Sequence, residues 1–183
     1  MSETSTNNSI LKFIGQNTQI EVSDHQQLTS LILENSLWKG IGIVSGSVYV
    51  ATEIADYGDF LHDLGHIATV PKRYRQYLTG NFDDAVPEKI LSAAQIESDD
   101  YHYLHYGCDD SATYWGFLAC KYLNLDPLPL FNNYGDESKL QHEVCELSYG
   151  TKSQSRFSTA LYHSQLLSSP RSTEIIAWDI ENL

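Results

Sequence analysis

The sequence is poor in cysteine and in basic residues. Its three cysteines, Cys108, Cys120 and Cys145, include no CxxC pair. A sparse, odd set of this kind is typical of reduced thiols, so we expect a cytoplasmic protein. Lysine and arginine number 11 against 24 aspartates and glutamates, which gives a net charge of −13. Because phosphate contacts need clustered basic side chains, this balance argues against nonspecific nucleic-acid binding.

Long apolar runs are also lacking. No stretch of 18 apolar residues occurs, and the polar N-terminus has no basic region followed by an apolar one. We therefore expect neither a membrane span nor a signal peptide. The phosphate-binding patterns GxxxxGK[ST] and GxGxxG are missing, as is the GxSxG nucleophile elbow. These absences count against nucleotide-binding loops of those types and against elbow-type serine hydrolases.

What is present indicates one globular domain. A chain of 183 residues, 42% of them hydrophobic and 19% charged, is long enough for a single sizeable core. We predict a polar, disordered leader over residues 1–9 and one domain over residues 10–183.

The predicted fold class is α+β, mostly helical with a small antiparallel β-sheet or hairpin. β-branched runs on both sides of Ser45-Gly46 indicate the hairpin, within residues 38–52. Apolar spacing, capping residues and prolines indicate the helices. They are predicted from about 59 to Pro71 and at 87–97, 109–123, 136–148 and 157–167.

The most informative segment is His62-Asp63-Leu64-Gly65-His66, within the first of these helices. Residues four apart lie on one helix face, so His62 and His66 can present two imidazole nitrogens to one divalent ion. Zinc is the ion that this pair fits best. Asp63 follows about 100° round the helix. In the HExxH pattern this position carries the glutamate that takes a proton from metal-bound water. We therefore predict His62 and His66 as metal ligands and Asp63, one methylene shorter than glutamate, as the catalytic base.

Gly65 costs about 1 kcal/mol relative to alanine in a helix interior. Such a cost suggests that another element packs closely there, or that a bound metal offsets it.

The third ligand must come from another segment. Asp109 and Asp110 open the 109–123 helix, where each can cap the helix or bind the metal, and both readings stay open. The alternatives are two histidines and, more weakly, two glutamates: His102, His105, Glu143 and Glu146.

Two blocks of the chain carry a resemblance to a known family. They are the segment from Tyr57 through the HDLGH motif to Ala68, and the segment from Trp115 to Pro127, which has an acidic residue, Asp109, six positions before the tryptophan. Together they resemble an uncharacterised bacterial family with a zincin-like, HExxH-type helix. The resemblance spans roughly residues 10–180. It implies a zinc-dependent, metallopeptidase-like hydrolase, and Asp63 departs from the glutamate usual in that family.

A second, local resemblance indicates a different set of metal ligands. Leu61 through His66 is similar to the metal-binding string of HD-domain phosphohydrolases. That resemblance implies His62 and Asp63 as ligands and leaves His66 free, with His25 and Asp109 or Asp110 completing the site. The predicted hairpin at 38–52 argues against it, because an HD domain is helical in this region.

A third hypothesis is a binding or regulatory protein in which the motif holds a structural metal, or none. On the hydrolase hypothesis the substrate bears a carbonyl, as in a small-molecule amide or a peptide. The metal is zinc or another divalent ion. Neither the substrate nor the oligomeric state follows from the sequence.

Overall fold

The fold is given by a computed structural model. It describes residues 3–22, 41–44, 47–50, 54, 56–70, 109–134, 162, 165–169 and 175–179. Three α-helices, three strands and one 3₁₀ helix lie in these ranges. In chain order they are α1 (Glu3–Asn17), β1 (Glu21–Val22), β2 (Ile41–Val44), β3 (Ser47–Val50), α2 (Tyr57–Ala68), α3 (Asp109–Leu123) and the 3₁₀ helix (Leu128–Tyr134).

The predicted α+β class with a small antiparallel sheet is wrong for the described part of the chain, which is built on helices. The described core side chains come from the three α-helices, the 3₁₀ helix and the segments beside them. The short strands pair as a mixed sheet in the order β1-β3-β2, with β1 parallel and β2 antiparallel to β3. Strands of two to four residues offer little surface for a core, whereas the helices bury their apolar faces against one another.

Helix α1 begins at Glu3, inside the stretch 1–9 that was expected to be a disordered leader. Ile10, Phe13 and Ile14 lie three and four positions apart and are 0–2% exposed. Their burial holds one face of the helix against the core, and the preceding turns continue the same helix.

Helix α2 carries the HDLGH motif and starts two residues earlier than predicted. The Asp56 carboxylate accepts hydrogen bonds from the backbone N–H groups of Gly58 (2.8 Å) and Asp59 (3.3 Å). Asp56 is therefore the N-cap, because a side-chain oxygen there satisfies N–H groups that have no partner inside the helix. The helix ends at Ala68, three residues before Pro71, as the proline predicted.

Helices α2 and α3 pack against each other unusually closely. A Cβ atom at Gly65 would lie 2.5 Å from the carbonyl oxygen of Ala112, and one at Gly116 would lie 3.4 Å from the backbone nitrogen of His62. Gly65 of α2 thus lies opposite Ala112 of α3, and His62, which is earlier in α2, lies opposite Gly116, which is later in α3. The two helices are therefore antiparallel, and glycine lets their backbones meet.

The C-terminal segment closes the core against α1 and α3. The Trp115 indole N–H donates to the carbonyl of Trp178 (2.9 Å), and the two rings meet edge to face at 5.6 Å. Phe13 packs on Trp178 with ring centroids 4.8 Å apart. The backbone N–H of Gln19 donates to the buried carboxylate of Asp179 (3.0 Å). These contacts join the two ends of the described chain.

Several predicted elements fall outside the described residues, namely the helices at 87–97 and 136–148 and most of the one at 157–167. At the end of the last of these, Leu167 forms an antiparallel bridge with Ile175. Within the described ranges, no helix is both long enough and apolar enough to cross a membrane.

Candidate metal centre

His62 and His66 bring their ring nitrogens together on one face of α2. The two Nε2 atoms are 3.2 Å apart, and the rings meet nearly perpendicular, with centroids 4.8 Å apart. His66 is buried at 3% exposure, whereas His62 is half-buried. The predicted i, i+4 pair is therefore assembled, with His62 as its more accessible member.

The separation of these nitrogens fits a shared ion. Zinc–nitrogen bonds of about 2.0–2.1 Å at a tetrahedral angle place two ligand nitrogens about 3.3 Å apart. The 3.2 Å between the Nε2 atoms agrees with this value without movement of the helix. The same distance also allows a hydrogen bond between one protonated and one unprotonated ring nitrogen.

The other ring nitrogen of His62 contacts α3. Its Nδ1 lies 3.2 Å from Oγ1 of Thr113, which is fully buried. A hydrogen-bond partner at Nδ1 is what a metal-binding histidine needs if it is to present Nε2 to the ion. The close approach of the helices at Gly65 and Gly116 puts Thr113 within reach.

Asp63 is buried, at 4% exposure, beside the half-buried His62. It takes part in a hydrogen-bonding or electrostatic interaction within the protein. Such an interaction offsets the large cost of burying a carboxylate. Its place one residue after His62 is the one expected for a base next to the metal.

The backbones of Asp109 and Asp110 form the first turn of α3. Asp109 precedes Thr113 by four residues, and His66 follows His62 by four. Because α2 and α3 are antiparallel and Thr113 contacts His62, Asp109 lies on the same α3 face one turn further, at the level of His66. Asp110 lies about 100° round from it. This placement favours Asp109 over Asp110 as a partner for the histidine pair.

No group of three or more His, Cys, Asp or Glu side chains is gathered around a metal position among the residues that the structure describes. For Asp109 and Asp110 that description covers the backbone. The other proposed ligands lie outside the described residues: His25, His102, His105, Glu143 and Glu146.

Thr113 was missed by the sequence analysis. It is a polar residue in an apolar helix, four positions after a candidate ligand, and that spacing is the only signal the sequence offers. Its importance depends on the register between α2 and α3, which sequence spacing does not reveal.

Among the described residues, three groups outside the proposed site have raised pKa values. Burial raises the pKa of the Cys120 thiol to about 12, and the nearby charge of Asp126 adds to the rise. Burial likewise raises the pKa of Tyr114. It also raises the pKa of Tyr57, whose hydroxyl donates to the carbonyl of Asp126 at 3.0 Å. A thiol held in this protonated form is a poor nucleophile, so Cys120 belongs to the core.

Comparison of the chain with protein families, with curated proteins and with solved structures finds no match. The function is therefore inferred from the geometry of the site and from the residues that form it.

Proposed function

We propose that the protein is a zinc-dependent hydrolase whose metal is held by His62 and His66. The observation that carries this proposal is the 3.2 Å separation of their Nε2 atoms. Asp109 is the proposed third ligand, on the α3 face that also carries Thr113, and Asp110 is its alternative. Another divalent ion that accepts imidazole ligands would fit the same pair.

The same observation favours a zincin-like site over an HD-type phosphohydrolase site. An HD site uses His62 and Asp63 and leaves His66 free. Here the ring nitrogens of His62 and His66 converge, and Asp63 lies about 100° round the helix from His62. Support for the zincin-like arrangement thus comes from the histidine geometry alone.

Held by His62 and His66, zinc would supply the Lewis acidity that activates a water molecule and polarises a carbonyl oxygen. The Asp63 carboxylate is the proton acceptor for the attacking water, and it passes that proton to the nitrogen leaving group of an amide or peptide. His62, half-buried, forms the side of the site that a substrate can reach. The proposed location is the cytoplasm, on the strength of the sparse cysteines.

One observation favours a second candidate, a binding or regulatory protein with a structural metal. Asp63 is 4% exposed and is one methylene shorter than the glutamate of HExxH motifs. A short, buried carboxylate reaches less far towards a water molecule in the site. In that case the metal would bind while no hydrolysis follows.

Zinc content separates the zincin-like site from the HD-type site. The chain is purified without chelator, and zinc per chain is measured by elemental analysis for wild type, His66→Ala and Asp63→Asn. We expect about one zinc per wild-type chain, loss of zinc in His66→Ala, and retention in Asp63→Asn. Full zinc in His66→Ala with loss in Asp63→Asn would instead support the HD-type site.

His163→Ala is the matched control, since none of the proposed sites uses His163. Far-ultraviolet circular dichroism checks that each variant keeps its helices. Hydrolysis of a mixed peptide library, measured with and without chelator, then distinguishes the hydrolase from the binding protein.

A further inference from the structure

Thr113 stands out as a buried hydroxyl aimed at a proposed metal ligand from a different helix. It is 0% exposed, and its Oγ1 lies 3.2 Å from Nδ1 of His62. Thr113 lies on α3 and His62 on α2, 51 positions apart in sequence. The contact therefore depends on how the two helices pack, and not on local sequence.

The chemistry of imidazole gives this contact a direction. A neutral ring carries one N–H, so when Nε2 offers its lone pair to a metal, Nδ1 must carry the proton. A buried N–H without an acceptor is costly. The Thr113 hydroxyl can donate to or accept from Nδ1 at this distance. When it accepts the Nδ1–H, it stabilises the tautomer that binds metal.

We propose that Thr113 is the positioning residue of the metal site, because its hydroxyl accepts the Nδ1–H of His62 and so directs the Nε2 lone pair towards the ion. This inference rests on the proposed function, since it assumes that His62 binds a metal. Thr113 does not touch the metal or the substrate. It acts through the orientation and tautomer of His62 alone.

Two helix contacts hold Thr113 in this position. Gly65 lies against the backbone of Ala112, the residue before Thr113, and Gly116 lies near the backbone nitrogen of His62. Both glycines keep the helix axes close. With a larger separation, the threonine hydroxyl would fall short of the imidazole.

The test compares Thr113→Val, which keeps the shape but removes the hydroxyl, with Thr113→Ser, which keeps the hydroxyl. Zinc affinity of each purified protein is measured by competition with a chromophoric chelator. Loss of a hydrogen-bond partner to a ligating histidine typically weakens metal binding roughly 10- to 100-fold. We expect that loss in Thr113→Val and an affinity close to wild type in Thr113→Ser.

A second readout needs no metal. Long-range ¹H–¹⁵N NMR spectra of the zinc-free protein report which nitrogen of His62 is protonated, with His62→Gln assigning the signal. We expect the Nδ1–H form in wild type and Thr113→Ser, and a shift towards the Nε2–H form in Thr113→Val.

The outcomes distinguish this inference from the proposed function. Equal zinc affinity in wild type and folded Thr113→Val overturns the role of Thr113 and leaves the metal site intact. Absence of zinc binding in wild type, together with a His62 tautomer that still depends on Thr113, overturns the metal site and upholds the orienting hydrogen bond. A tautomer that is the same in all variants overturns the inference directly.

Discussion

Gly65 on α2 lies so close to Ala112 on α3 that the two backbones are in contact, and a Cβ at position 65 would come within 2.5 Å of the Ala112 carbonyl oxygen and 2.7 Å of its Cα. The cost of a glycine in the HDLGH helix suggested close packing there, and the structure shows that packing. The contact also sets the register that brings Thr113 to His62. The proposed metal site and the core thus share one helix crossing.

Gly65→Ala should therefore destabilise the protein. The added methyl group meets backbone atoms that cannot rotate away, and overpacking of this kind costs typically about 1–3 kcal/mol. After the gain of about 1 kcal/mol that alanine brings to a helix interior, the net loss is about 0–2 kcal/mol, and the contact with backbone atoms favours the upper end. Chemical denaturation measures the change in the free energy of unfolding.

Gly15→Ala is the matched control for this prediction. Gly15 is an exposed glycine of helix α1, and a Cβ there would meet nothing within 4 Å. We expect it to be neutral or to stabilise by up to about 1 kcal/mol. Equal effects of the two substitutions would show that the helices are not in contact at Gly65.

Cys120 should be unreactive in the native protein. Its thiol is fully buried, and burial raises its pKa to about 12. Iodoacetamide at pH 8 should leave the Cys120 peptide unmodified until denaturant is added, as followed by mass spectrometry. Rapid labelling of Cys120 under native conditions would contradict its burial.

The same thiol makes stability fall at alkaline pH. The native pKa is raised above the reference value of 9.0, so above that value the unfolded chain releases a proton that the folded chain retains. The contribution of Cys120 is therefore fully present below pH 9 and is lost as the pH rises towards 12. Unfolding measured from pH 8 to 11 should show this loss, and Cys120→Ala should make it smaller.

In the proposed hydrolase, Asp63 is the residue on which hydrolysis depends. If the native protein is a hydrolase, Asp63→Asn should keep zinc and lower kcat/KM about 100- to 10,000-fold, the usual range for removal of a general base. Peptide hydrolysis by zinc-loaded protein measures this.

Asp63→Glu is the complementary substitution to Asp63→Asn. Its longer side chain restores the reach of the HExxH glutamate. Peptidase activity that appears in Asp63→Glu and is missing from the native chain would show that the natural protein is not a peptidase.

Local patterns predicted the two central helices well. The range predicted for the second, 109–123, is the range observed for α3, because its acidic start and apolar stretch are local signals. The Asp56 cap of α2 is a local interaction of the same kind. The spacing of His62 and His66 was enough to predict that their ring nitrogens converge, since it depends on the helix period alone.

Features that depend on tertiary contacts were predicted less well. Residues 3–9 are polar, and their place in α1 follows from the burial of Ile10, Phe13 and Ile14 against the core. The mixed pairing of the sheet follows from the parallel alignment of Glu21–Val22 with β3, which pairs strands distant in sequence. The Thr113 contact needs the register of two helices far apart in the chain.

We propose above all that one zinc ion is held by the Nε2 atoms of both His62 and His66. The most direct measurement is a crystal structure of the zinc-loaded protein with anomalous diffraction at the zinc edge. We predict one zinc about 2.0–2.1 Å from both Nε2 atoms, with a carboxylate oxygen from the start of α3 as a further ligand. A metal bound by His62 and Asp63 with His66 free, or no metal at this helix, would contradict the claim.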